Sequence, residues 1–167
     1  MDIEPVARTL DKIAGGRHSA DRVPEAVHTD PRTKRSFRVV GWLLVVVLVL
    51  GASAVGEAVL KTRQGVHESW IIWWRLVVIF LIATTLFYFL WRAAAGLWWA
   101  YSRLRLFSIV FPVVAIGTCL VPGLYPGWMI AEQVAFSLVL LVVWRVLSAT
   151  HLREGFDRAR RVPEAAS

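Results

Sequence analysis

The sequence predicts an all-α integral membrane protein: four transmembrane helices in an antiparallel bundle, N and C termini cytoplasmic, and a short amphipathic helix in the N-terminal tail. Three observations predict it. Apolar stretches at about residues 39–60, 70–91, 106–121 and 128–146 each approach the ~20 residues an α-helix needs to cross a ~30 Å hydrocarbon core. Positive charge alternates across them. Arg32, Lys34, Arg35 and Arg38 precede the first, Arg92, Arg103 and Arg105 flank the link between the second and third, and Arg153, Arg158, Arg160 and Arg161 follow the fourth. The other two links carry only Lys61 and Arg63, or no cation at all, so the positive-inside rule places both tails in the cytoplasm. The third observation is tryptophan placement. Trp70, Trp73, Trp74 and Trp128 fall at expected outer ends, and Trp42, Trp91, Trp98, Trp99 and Trp144 at or near inner ends, as the headgroup preference of an amphipathic indole requires.

Composition agrees. With 57% hydrophobic residues and a mean hydropathy of +0.56 over 167 residues, the chain is too apolar for a soluble domain of its size. Its net charge of +7 sits on the tails and links, where it sets orientation and faces anionic lipid. Nucleic acid is not an expected partner. The excess of Arg over Lys, 16 to 3, fits a high-GC bacterial genome and hence the bacterial plasma membrane, the cell inner membrane. Cys119 is the only cysteine. An intramolecular disulfide, a C-x-x-C redox pair and a thiolate metal site are all excluded.

Residues 1–38 read as a cytoplasmic tail. Asp2 suits an N-cap, Pro5 a first turn and Gly15-Gly16 a stop, giving a helix near residues 3–14. Ile3, Val6, Leu10 and Ile13 recur at spacings of three and four, which aligns them as one candidate partner-docking face. So short a helix needs a surface to lie against, and its mixed-sign polar face suits lipid less than a basic one would. Residues 17–38 read as linker. Thr33-Lys-Arg-Ser-Phe37 resembles a twin-arginine export motif with Lys for the first Arg, and Ala52-Ser-Ala54 resembles a cleavage site. The length of the first apolar stretch and the three that follow favour an uncleaved helix instead. Arg-Val-Pro-Glu-Ala occurs at 22–26 and again at 161–165, on the same expected side of the membrane.

Residues 39–148 form the membrane domain. Ala52-x-x-x-Gly56 and Ala54-x-x-x-Ala58 line the first span with small residues that permit close helix contact. Residues 93–105 are expected to extend the second helix or turn along the inner interface. Pro112 should kink the third helix or mark a late start. The Pro-Gly-rich link at 122–127 is short, so the third and fourth spans should form a hairpin. Residues 149–167 are a basic cytoplasmic tail.

An ionisable group within a span is costly and is a functional candidate by default. Arg75 lies about one turn below Trp70 and Glu132 about one turn below Trp128, with Glu57 near the outer end of the first span. Together with Gln133 they form a candidate intramembrane polar cluster, which His67 is placed to join. An Arg–carboxylate pair there serves either to hold two spans together or to form a proton-, cation- or anion-responsive pocket. Thr84 and Thr85 lie mid-span, where a hydroxyl bonds back to its own helix.

No histidine falls inside a span, which excludes a haem held by two transmembrane histidines. Walker, G-x-S-x-G and H-E-x-x-H motifs are lacking, as is an acidic cluster to hold Mg²⁺. The sequence therefore nominates no catalytic residue, metal or cofactor. It points to a small non-catalytic multi-pass protein that is an accessory, assembly or regulatory subunit, with the bilayer and a membrane-protein partner or further copies of itself as its contacts. The alternative is an oligomeric small transporter or channel component using the outer-leaflet polar cluster.

Overall fold

The structure is a computed structural model describing residue 23 and residues 30–65, 70–123 and 125–156. The expected helix near 3–14, with Ile3, Val6, Leu10 and Ile13, lies outside the described residues, as do His67 and both copies of the repeated pentapeptide apart from Val23.

Among the described residues there are four long helices: α1 (Pro31–Arg63), α2 (Trp70–Ala94), α3 (Trp98–Cys119) and α4 (Gly127–Leu147). All four are long and apolar enough to cross a membrane. A short helix, α5 (residues 150–156), follows. Each long helix packs on the next, and α4 packs back on α1.

Helix α1 begins eight residues before the apolar stretch does, inside what composition marks as linker. Its local signals explain this. The Asp30 side chain accepts from the Arg32 amide at 2.8 Å, and Pro31 occupies the first turn, where its missing N–H has no helical partner to lose. Along α1 the buried residues are Thr33, Phe37, Val40, Leu44, Val47, Gly51, Ala54 and Ala58. Their spacing alternates four and three, the heptad seam of helices packed with a slight left-handed cross. Ile72, Leu76, Ile79, Ala83 and Leu86 repeat that spacing on α2. So do Met129, Gln133, Phe136, Leu140, Val143 and Leu147 on α4.

Helix α2 stops at a Schellman turn. Gly96 has φ +84°, its N–H donates to the Ala93 carbonyl, and the Leu97 N–H donates to the Arg92 carbonyl. Only glycine takes that left-handed conformation cheaply. Residues 93–105 therefore divide between the end of α2, this turn and the start of α3, which begins directly after the turn. It also runs through Pro112 without a break, so this proline marks no late start. What Pro112 removes is the amide that would bond the Ser108 carbonyl. Between α2 and α3 the rings of Trp99, Phe89, Phe107 and Phe111 form a ladder, with successive centroids 5.9, 5.7 and 5.2 Å apart.

Trp99 thus belongs to the core and not to an interfacial belt: it is 2% exposed. Trp42, Trp70, Trp74 and Trp91 are more than half exposed, as belt residues should be.

Candidate functional site

Several polar residues within the helices gather at one place. Arg75, on α2, directs one guanidinium nitrogen to Glu132 Oε2 on α4 at 3.4 Å and the other to Gln133 Oε1. Gln133 then donates through Nε2 to α3, to the Ala115 carbonyl at 3.0 Å and to Thr118 Oγ1 at 3.1 Å. Three helices are tied by one amide and one guanidinium. Tyr125, in the link between α3 and α4, lays its ring 5.2 Å from the Arg75 guanidinium carbon. The side chains of Arg75 and Glu132 are only 11% and 9% exposed.

Local sequence explains the convergence. Gln133 sits in the α4 seam, between Met129 and Phe136, so its amide must point inward. Its neighbour Glu132 falls beside the seam. A polar residue at one seam position fixes the register of the helices around it, because any slip would leave the amide unbonded in an apolar interior.

Of the four candidate cluster residues, the structure brings together Arg75, Glu132 and Gln133. Glu57 stands apart. Its carboxylate pairs with Lys61 one turn along the same helix at 3.6 Å and is 50% exposed. Depth alone placed it with the others. The helix face decides otherwise, since Ala54 and Ala58 occupy the inward positions on either side. Lys61 also caps the Trp128 ring at 4.5 Å. Thr118 and Tyr125 join the cluster, and nothing in the sequence singles them out, because only the fold brings the α3–α4 hairpin over Arg75. Thr84 and Thr85 donate to the Phe80 and Leu81 carbonyls on their own helix, the expected back-bonding.

Not every polar group is satisfied. Glu132 Oε1 is buried without a hydrogen-bond partner, as are the indole N–H groups of Trp99 and Trp128 and the Ser137 hydroxyl. Among the described residues no group of three or more His, Cys, Asp or Glu side chains is placed to hold a metal ion.

Beside the cluster a cleft of about 180 Å³ lies between α2 and α3, with Gln133 and Phe136 of α4 also in its wall. Arg75, Gln133, Thr118 and Tyr125 line one end, and the remainder of its wall is apolar.

A second cluster occupies the opposite end of the helices, where Val23 and the residues that follow α4 meet the core. The Val23 N–H donates to the Gly96 carbonyl at 2.8 Å, and its side chain is 4% exposed. From the other tail, Phe156 stacks on Tyr101 at 4.3 Å and meets Phe37 edge-on at 6.2 Å. Ser36 and His151 are within 3.3 Å, and Arg105 Nε donates to Ser148 Oγ at 3.2 Å. Phe156 and Leu152 are fully buried. The first residues after α4 are therefore part of the fold, a role their basic composition does not announce.

Compared with known proteins, the chain matches no family model, no curated protein and no solved structure.

Proposed function

We propose that this is a non-catalytic multi-pass membrane protein that acts through contacts, as an accessory, assembly or regulatory subunit of a membrane complex. In this reading it resides in the plasma membrane of a bacterium, its four helices run alternately up and down as a bundle, and both termini are cytoplasmic. The observation that carries it is the docking of Val23 at Gly96 and of Phe156 at Tyr101, at one end of the helices. That docking turns flanking chain into a fixed surface, which a partner can bind without first having to order it. The Arg75–Glu132–Gln133 cluster supports the same reading, since most of its polar atoms bond each other and so hold helices in register.

Purification of the tagged protein from its native membrane in mild detergent tests this, with particle mass and protein content as the readout. A reproducible heteromeric complex is the expected result. A partnerless particle that still moves or converts a solute overturns it.

The second reading is an oligomeric small transporter or channel component. The unbonded Glu132 Oε1 and the cleft that opens at Arg75 favour it. A homo-oligomer whose solute flux depends on Glu132 would support it over the first.

A further inference from the structure

The cleft between α2 and α3 has a polarity, and that polarity runs the same way as a lipid's. Its polar end is formed by Arg75, Gln133, Thr118 and Tyr125, whose ring lies against one face of the guanidinium, and its apolar end by Ile82 and Phe111. Arg75 lies five residues into α2, roughly 7.5 Å along the axis from Trp70. Trp70 is 72% exposed, as an indole at headgroup level should be. Ile82 lies about two turns further toward the middle of the helix. Phe111 and Val114 on α3 descend in the same direction from Thr118 near that helix's end. The cationic end of the cleft therefore faces the headgroup region and the apolar end faces the hydrocarbon.

Arg75 also has bonding capacity to spare. A guanidinium carries five N–H donors, and the bonds to Glu132 and Gln133 engage two. The 3.4 Å contact with Glu132 is longer than the ~2.8 Å of a well-formed charged hydrogen bond. Glu132 is not part of the cleft wall, whereas Arg75 is. Arg75 thus meets the carboxylate from outside the cleft wall and the cleft from within it. A cation at this depth is costly when under-bonded, and a long side chain can reach upward to the phosphate level.

We propose that this cleft binds an anionic phospholipid of the surrounding bilayer, with its phosphate against Arg75 and one acyl chain along Val78, Ile82, Phe111 and Val114. Free inorganic phosphate shares the headgroup chemistry but gains nothing from the apolar wall. The inference does not rest on the accessory-subunit reading, and its test uses the purified protein alone.

The test is native mass spectrometry of the full chain with added phosphatidylglycerol or phosphatidylcholine of identical acyl chains. The expected preference for phosphatidylglycerol is about fivefold, the size that one cation near a membrane surface supplies. Arg75→Gln should abolish the preference. Because that change also breaks the contact with Glu132, Val114→Trp serves as the second variant. Val114 is 57% exposed, so the larger ring fills the cleft without entering the core. It should leave thermal stability intact and reduce retention of both lipids, since they share the acyl chain that the ring displaces. Equal retention of the two lipids by the unmodified protein overturns the proposal, as does full retention of phosphatidylglycerol by folded Val114→Trp. Displacement of the lipid by millimolar inorganic phosphate would also overturn it, in favour of a site for the headgroup anion alone.

Discussion

The Tyr101 hydroxyl donates to the Leu147 carbonyl at 2.6 Å, joining the first turn of α3 to the last residue of α4. Leu147 ends its helix, so its carbonyl has no amide of its own helix to accept from. Tyrosine supplies that partner from across the interface. The same ring carries Phe156 on its face, so one side chain closes a helix end and anchors the tail behind it.

Tyr101→Phe separates these two tasks. It keeps the ring and leaves a buried carbonyl unsatisfied, at a cost of roughly 1–3 kcal/mol. Phe156→Ala empties a fully buried site and should cost more, about 3–5 kcal/mol. Loss of the monodisperse peak on heating in detergent should rank them wild type, Tyr101→Phe, then Phe156→Ala. Truncation after residue 149 should cost more than Phe156→Ala, because it also removes the fully buried Leu152.

Gly51 and Gly56 lie on one helix and should respond oppositely to enlargement. A Cβ at Gly51 would come within 3.2 Å of Ile79 Cγ2, whereas at Gly56 it meets nothing within 4 Å. Gly51→Leu should therefore force α1 from α2 and lower thermal stability, with overpacking of this kind costing about 1–3 kcal/mol. Gly56→Leu should change stability by no more than about 0.5 kcal/mol. The same heating assay reads both.

Glu132 and Gln133 are adjacent but differ in what they hold. Gln133→Leu removes the link from α4 to α3 and the acceptor for Arg75 together, so it should destabilise more than Glu132→Gln. The latter keeps an oxygen that can accept from Arg75. Single interhelical hydrogen bonds in membranes are worth about 0.6 kcal/mol on average, so the expected gap is about 1–2 kcal/mol. Equal stability of the two variants would show that the bonds from Gln133 to Ala115 and Thr118 contribute nothing.

Val23 should hold the N-terminal tail to the α2–α3 turn. Val23→Asp places a charge in a site that is 4% exposed, where burial without a partner is unfavourable. Tryptic cleavage after Arg22 should accelerate in this variant while the helical circular dichroism signal stays unchanged. An unaltered cleavage rate would show that the Val23 contact is not persistent.

Much of this protein is legible in its sequence, because a membrane imposes strong constraints on composition. Span length and apolarity alone identify four membrane-crossing helices, since backbone in lipid must bond itself and only a run of ~20 apolar residues suffices. The similar depth of Arg75 and Glu132 was also accessible, because depth can be counted from Trp70 and Trp128 in helical turns, whereas their contact is a tertiary fact. What depth cannot supply is azimuth. In the middle of α1 both faces are rich in Val, Leu and Ala, so the core-facing seam from Val40 to Ala54 carries little compositional contrast with the outward side. Apolar lipid and apolar core place the same demand on a side chain. For that reason tertiary structure alone decided that Ala54 and Ala58 face the core while Ala52 and Gly56 face outward. It likewise decided that Glu57 pairs with Lys61 rather than with Arg75, and that Trp99 is core rather than belt. The tail contacts of Val23 and Phe156 join residues distant in sequence, and only the packed helix ends create the sites they fill.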